Sequence, residues 1–90
     1  MSYVILSFIG DFPVESQPYW NQEFKMLTMA IESAKIQHKS LCGVRPDHRH
    51  LYTIVIEKDN DEMVLWIIYQ GKEINDMVEA TKLADQLFEG

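Results

Sequence analysis

The sequence predicts an α+β domain with the element order β-α-β-β-α, in which two helices pack against a small, mainly antiparallel sheet. Three short runs are rich in β-branched and aromatic residues, as strands are, and two longer segments repeat apolar residues every three or four positions, as helices do. The second and third strand-like runs lie so close together that a hairpin is expected to join them. A chain of 90 residues is expected to form one domain, since domains typically have about 100–150 residues.

The first strand and the first helix are predicted in the N-terminal half. Residues 3–9 form the strand, and a loop with two prolines follows, in which Ser16 is a candidate N-cap. The helical period extends from Tyr19 to about Ser40, and Gly43 is the expected left-handed cap at its end. The apolar stripe of this helix is Trp20, Phe24, Leu27, Ile31 and Ala34.

The C-terminal half predicts a hairpin and the second helix. Residues 51–57 and 63–69 are its two strands, and the sheet has three strands, or four if residues 72–74 add a short one. The sequence Asp76-Met-Val-Glu79 is a capping-box pattern that predicts the start of the second helix. The apolar stripe that follows is Ala80, Leu83, Ala84, Leu87 and Phe88.

The hairpin has two apolar faces, and two helices on one side would cover only one of them. A two-residue turn at Asp59-Asn60 or Asn60-Asp61 places one group of side chains under the helices: Ile54, Ile56, Met63, Leu65 and Ile67. The opposite face carries Thr53, Val55, Glu57, Val64, Trp66 and Ile68. We expect its apolar members, Val55, Val64, Trp66 and Ile68, to form an interface, with Trp66 as its anchor. In the alternative arrangement, the helices lie on opposite sides of the sheet and bury both faces.

The outer side of the first helix is a second candidate interface. Met26, Met29 and Ile36 lie away from its core stripe, and contiguous exposed apolar residues usually mark interaction sites. Homodimerisation is the commonest way to cover such a surface, so we expect a homodimer or a contact with another protein.

Charge is concentrated in the C-terminal half. The chain has 14 acidic and 8 basic residues, a net charge of −6, which argues against direct nucleic-acid binding. Residues 51–90 hold nine of the acidic residues and three of the basic ones. We expect this part to bind a larger host or cognate protein with a basic surface. The predicted partner-binding residues are Glu57, Asp59, Asp61, Glu62, Asp76 and Glu79.

Two other functions have weaker support. A local basic pole would let the chain associate with a nucleic acid, through Lys35, Lys39, Arg45, Arg49 and His48. Asp47, His48 and His50 could form a metal site or a small active site, although no metal-binding spacing such as CxxC supports it. Cys42 follows a helix, whose C-terminal dipole raises a thiol pKa, so we expect an inert thiol.

No catalytic motif is present, and we expect a non-enzymatic acidic interaction module without a metal or cofactor. Its expected role is that of an inhibitor or antagonist that occupies a surface of a larger protein, such as a viral, phage-type blocker of a host nuclease. A single cysteine is compatible with a reducing compartment, and no apolar run is long enough to span a membrane. The first ten residues lack a basic leader, so we expect no signal peptide and a cytoplasmic location.

Overall fold

The predicted α+β fold is confirmed in a computed structural model, which describes residues 1–46 and 48–89. Within the described residues the sheet has five strands rather than three or four. The strands are β1 (Tyr3–Ile9), β2 (Phe12–Pro13), β3 (Leu51–Glu57), β4 (Asn60–Tyr69) and β5 (Lys72–Ile74). The helices are α1 (Leu27–Val44) and α2 (Met77–Phe88), and a 3₁₀ turn covers His48–His50. The short strand expected at residues 72–74 is present, whereas β2 was not predicted.

All neighbouring strands are antiparallel, in the order β2-β1-β3-β4-β5. In the central pair, Tyr3 of β1 lies opposite Glu57 of β3. Glu57 is also paired with Asn60 of β4, so the two-residue turn of the hairpin is Lys58-Asp59. The turn therefore comes one residue earlier than the earlier of the two predicted positions.

The helices lie on opposite faces of the sheet, as in the alternative arrangement. The core beneath α1 includes Ile5, Val55 and Trp66, and the core beneath α2 includes Ile54 and Ile67. Val55 and Trp66 are 0% exposed. Our expectation that they form an exposed interface was therefore wrong. α1 covers the sheet face that we expected to be uncovered, and Trp66 is a core residue.

Val64 is also buried, but on the other face. Val55 pairs with Trp66 and Ile56 pairs with Val64, so Leu65 is an extra residue in β4. Such a bulge interrupts the alternation of side chains between the two faces. Val64 therefore joins the core beneath α2, whereas Ile68 lies half-buried against the core beneath α1.

The first helix begins eight residues later than predicted. Tyr3 and Phe24 exchange two backbone hydrogen bonds, with N···O distances of 2.7 and 2.8 Å, which hold the chain before α1 extended. Ser16 and Asn21 have positive φ angles of 62° and 64°, so neither begins a helix. The first two residues of the predicted apolar stripe, Trp20 and Phe24, therefore belong to a folded loop, and the other three lie in α1.

The other end of α1 also differs from the prediction. The helix continues through Gly43, which does not adopt the left-handed conformation, to Val44. Trp20 was placed in the core stripe, but it belongs to the loop and is 52% exposed, whereas Phe24 is buried. In neither of the described helices is there a stretch long and apolar enough to cross a membrane.

Asp76 is the N-cap of α2, as predicted, but among the described contacts only one of the two hydrogen bonds of a capping box is formed, the one to the Asp76 side chain. Asp76 Oδ1 accepts hydrogen bonds from the backbone N–H groups of Val78 at 2.9 Å and Glu79 at 3.4 Å. The backbone N–H of Val64 donates to Thr81 Oγ1 at 2.9 Å, which fastens the helix to the bulged strand. These contacts fix the position of α2 over β4.

Candidate protein-interaction site

α2 covers the sheet face beneath it incompletely, and side chains of β1 on this face stay partly exposed. α2 packs mainly on β4 and reaches β1 only at its end, where the rings of Phe88 and Phe8 lie 6.2 Å apart. A groove of about 300 Å³ remains beside the helix, over β1 and β3. We call it the α2 groove, and the residues that line it are Leu6, Phe8, Tyr52, Ile54, Ile56, Asp61, Val64, Ala84, Asp85 and Phe88.

The floor of the α2 groove is apolar. Leu6 and Phe8 project from β1 and are only partly buried, while Ile54 and Ile56 of β3 complete the surface. The ring of Tyr52 stacks on Phe8 with a centroid distance of 5.8 Å. Ile54 and Ile56 were expected under the helices and are buried, whereas Leu6 and Phe8 keep part of their surface exposed.

The hydroxyl group of Tyr52 lies at the edge of this floor and is uncharged. Its hydroxyl donates to the carbonyl of Gly10 at 2.6 Å, in the turn between β1 and β2. Burial, and then the negative charge of Asp11, raise the pKa of Tyr52 to about 12. The phenol therefore stays neutral across the physiological range.

The rim of the α2 groove is acidic. Asp61 of β4 and Asp85 of α2 are both exposed and both line the groove. Among the described residues that line the groove, none is basic. The nearby Lys58 pairs with Glu23 at 3.0 Å, and this contact raises the pKa of the lysine and lowers that of the glutamate.

The structure brings only part of the predicted acidic surface to this groove. Asp59, Asp61 and Glu62 are exposed at the hairpin, and Glu57 is partly buried at the end of β3. Asp76 caps α2, and Glu79 lines a different depression with Lys72 and Lys82. Asp85 lies on the rim but was not among the predicted partner-binding residues.

Met26, Met29 and Ile36 are exposed beside or on α1, at 58%, 57% and 59% of their full surface. They lie away from the core, as expected. Their role in self-association or partner binding stays a prediction.

One residue of the predicted basic pole, Lys35, forms ion pairs with two glutamates. Lys35 Nζ lies 3.4 Å from Glu73 Oε1 and 3.5 Å from Glu32 Oε1, which raises the pKa of the lysine. Arg49 and His48 line a cavity of about 430 Å³ with His38, Cys42, Gln70 and Gly71. Because Lys35 is held by two carboxylates, less positive charge is available here for a phosphate backbone.

The alternative metal or active site lies partly outside the described residues, since Asp47 is not among them. His48 and His50 are exposed on the 3₁₀ turn. In the described part of the chain, no three His, Cys, Asp or Glu side chains are grouped so as to hold a metal ion. Cys42 is partly buried, and this burial raises its pKa, so the thiol is protonated near neutral pH.

A buried polar cluster beneath α1 was not predicted. Ser7 and Thr53, opposite each other on β1 and β3, have hydroxyl oxygens 2.6 Å apart. Gln37 Nε2 donates to Ser7 Oγ at 2.9 Å, and His38 Nδ1 lies 3.0 Å from Thr53 Oγ1. Gln17 exchanges hydrogen bonds with the backbone of Ser7, at 2.9 and 3.1 Å. The cluster ties α1 and the loop before it to the sheet.

The hydrogen bonds of this cluster form a chain with one donor-to-acceptor direction, from Gln37 to His38. The backbone N–H of Tyr19 donates to Gln37 Oε1, which fixes the amide so that its nitrogen donates to Ser7. Among the described contacts the acceptor for the Ser7 hydroxyl is Thr53 Oγ1, and the Thr53 hydroxyl then donates to His38 Nδ1. His38 is therefore neutral with its proton on Nε2, in agreement with the burial that lowers its pKa.

Comparison with known proteins identifies no relative of this chain. No protein-family model matches this chain, and neither the search of curated proteins nor that of solved structures finds a similar one.

Proposed function

We propose that this chain is a non-enzymatic, acidic protein-interaction module that binds a larger protein through the α2 groove. One observation carries the proposal: beside α2, an apolar groove in which Leu6, Phe8 and Phe88 keep part of their surface exposed lies next to the exposed carboxylates of Asp61 and Asp85. Apolar surface of this kind usually marks a binding site, because covering it releases water at a favourable free energy.

The two parts of the site have separate tasks in this proposal. The apolar part of the groove supplies affinity through burial of Leu6, Phe8 and Phe88. Asp61 and Asp85 select a partner with basic residues and speed its approach. A partner whose basic surface is covered in this way cannot bind its own acidic ligand, so the module acts as an inhibitor or antagonist.

Affinity capture with charge variants tests this proposal. Wild-type chain, the double variant Asp61→Lys/Asp85→Lys and the control Glu79→Lys are each immobilised and exposed to a lysate of the source organism. Glu79 is an exposed acid on the same helix as Asp85, but it lies outside the groove. We expect a basic protein that wild type and Glu79→Lys both retain and that the double variant loses.

The same experiment can contradict the proposal. Equal retention by all three chains would show that the groove rim does not select the partner. Loss with Glu79→Lys but not with the double variant would move the contact to the other side of α2.

A further inference from the structure

A second site, of opposite charge, lies on the α1 side of the sheet. It is the cavity of about 430 Å³ near the end of α1, which we call the His38 cavity, and its lining residues are His38, Cys42, His48, Arg49, Gln70 and Gly71. We propose that it binds the phosphate group of a small molecule, to which the side chains of His38 and Arg49 donate hydrogen bonds. This site is separate from the α2 groove and does not depend on the proposed function.

Three elements build the His38 cavity. His38 and Cys42 are four residues apart on α1, so they lie on the same side of the helix. Arg49 belongs to the 3₁₀ turn, and Gln70 and Gly71 form the turn between β4 and β5. Gln70 Nε2 donates to the backbone carbonyl of Arg49 at 3.4 Å, which joins the two turns. The cavity is therefore built by contacts between separate parts of the chain.

His38 supplies a neutral N–H group at the inner end of the cavity. Its side chain belongs to a residue that is only 6% exposed, and Nδ1 accepts the hydrogen bond from Thr53. The proton of the neutral ring is therefore on Nε2, at the other edge of the imidazole.

Nε2 of His38 faces the cavity. Of the buried side-chain nitrogen and oxygen atoms in the described residues, Trp66 Nε1 alone has no hydrogen-bond partner. Nε2 of His38 also has no partner among the described residues, so it is not closed off from solvent. Because His38 lines the cavity, this is the space into which its N–H group can donate.

Arg49 supplies a positive charge that no described carboxylate neutralises. It is exposed, and it forms no ion pair with any of the described residues. A guanidinium group is charged at every physiological pH and presents two parallel N–H groups to the oxygen atoms of a phosphate. Arg49 can therefore provide the charge that a phosphate group requires.

The His38 cavity carries no negative charge on its described lining residues, although the chain has a net charge of −6. The Cys42 thiol stays protonated near neutral pH, because burial raises its pKa. The carbonyl end of α1 is at Val44, and its partial negative charge acts mainly over the last turn of the helix, whereas His38 lies before that turn. An anion at His38 Nε2 therefore meets donors rather than carboxylates.

The donors favour a phosphate over a carboxylate. Arg49 at the opening can occupy two oxygen atoms of an anion, and a planar carboxylate has only two. A phosphate monoester has three terminal oxygen atoms, so one remains for the N–H group of His38. The two donors come from different elements, which suits a tetrahedral group.

The depth of His38 favours a small molecule over a nucleic acid. A phosphate monoester carries its phosphate at one end and can insert it as far as a residue that is 6% exposed. A phosphate of a nucleic-acid backbone is flanked by sugars on both sides and stays at the surface. The net charge of −6 also repels a polyanion.

Titration of the full chain with phenyl phosphate, benzoate and a single-stranded oligonucleotide tests the proposal. The ¹⁵N shifts of the histidine rings and the backbone amide shifts are recorded at neutral pH. We expect phenyl phosphate to bind saturably, to move Nε2 of His38 and the amides of Arg49 and Gly71, and to bind about tenfold more tightly than benzoate. Tighter binding of benzoate or of the oligonucleotide would overturn the proposal.

Two variants separate a site from general attraction to positive charge. Arg49→Gln removes the guanidinium but keeps the backbone carbonyl that Gln70 uses, and it should weaken phenyl phosphate by about tenfold or more. Lys39→Gln removes one positive charge from an exposed position on α1 outside the cavity and should leave the affinity nearly unchanged. Equal weakening by the two variants, shifts that grow without saturation, or an unchanged His38 Nε2 would overturn the proposal.

Discussion

The two faces of the sheet are covered to different extents. On one face the 18-residue α1 is joined by the loop before it, which adds Val14, Tyr19 and Phe24 to the cover. On the other face the 12-residue α2 lies alone over β4. The same strands thus form a closed core on one side and an open groove on the other.

The interiors of the two faces differ as well. The closed face holds a saturated polar cluster around Gln37 and His38, whereas the floor of the α2 groove is apolar. A saturated buried cluster fixes one arrangement of helix, loop and sheet. The comparison shows that the extent of cover, rather than the hydrophobicity of the strands, decides which apolar side chains keep surface exposed.

Neighbouring residues on β1 give the sharpest contrast in stability. Ile5 points into the closed face and is 1% exposed, while Leu6 is only partly buried on the groove side. Ile5→Ala should lower the free energy of unfolding by about 2–5 kcal/mol. Leu6→Ala should cost no more than about 1–2 kcal/mol, because part of its surface already faces water. Urea denaturation measures both, and equal losses would show that the two faces are equally closed.

The polar cluster should contribute less than Ile5 but a measurable amount. Thr53→Val keeps the shape of the side chain and leaves Ser7 and His38 without their partner. We expect a loss of about 1–3 kcal/mol in the free energy of unfolding. Thr28→Val, at an exposed position on α1, is the control and should change stability by less than about 0.5 kcal/mol. A loss as small as that of the control would mean that the cluster does not hold the closed face.

His38 should make stability depend on pH. Its pKa is lowered in the folded chain by burial, so the unfolded chain binds the proton first. Stability is full above the unfolded pKa of about 6.5 and decreases as pH falls below it, by at most about 1.4 kcal/mol per pH unit. Protonation also reverses the bond to Thr53 and leaves the Ser7 proton without an acceptor.

His38→Asn isolates this effect. Its side-chain oxygen replaces Nδ1 as the acceptor for Thr53 but does not titrate. Urea midpoints between about pH 7 and pH 5.5 should fall for wild type and stay nearly constant for His38→Asn. Parallel decreases in both chains would assign the pH dependence to other groups.

The cap of α2 should have the smallest effect. Asp76→Ala removes the acceptor for the N–H groups of Val78 and Glu79 and should cost about 1 kcal/mol. Asp85→Ala, on the same helix but without a capping bond, should change stability by less than about 0.5 kcal/mol. Thermal unfolding of the two variants measures the difference, and equal melting temperatures would show that the cap does not hold α2 in place.

Local patterns predicted the parts of the fold that local interactions determine. The β3–β4 hairpin and the start of α2 at Asp76 follow from short-range turn and capping chemistry. The start of α1 could not be predicted in this way, because Phe24 is held by Tyr3 across 20 intervening residues. β2 has only two residues, one of them a proline, and so has no strand pattern to recognise.

The candidate site was only partly predictable, because its residues come together through contacts between elements that are distant in the sequence. The alternation of side chains along a strand puts Leu6 and Phe8 of β1 on the same face, but it does not determine which helix covers that face. A bulge of one residue at Leu65 then moved Val64 to the face opposite Trp66. The acidic residues at the hairpin were predicted to bind a partner because they are clustered in the sequence. Asp85 lines the groove because of the position of α2 over β4, which the sequence did not predict.

Calorimetric titration of the captured partner with two alanine variants tests the central claim most directly. Phe88 on the wall of the groove and Met29 on α1 are both more than half exposed, at 52% and 57%, so neither substitution empties a core. We predict that Phe88→Ala weakens binding at least about tenfold and that Met29→Ala leaves it unchanged. Weaker binding with Met29→Ala and unchanged binding with Phe88→Ala would contradict the account and place the partner on the outer side of α1.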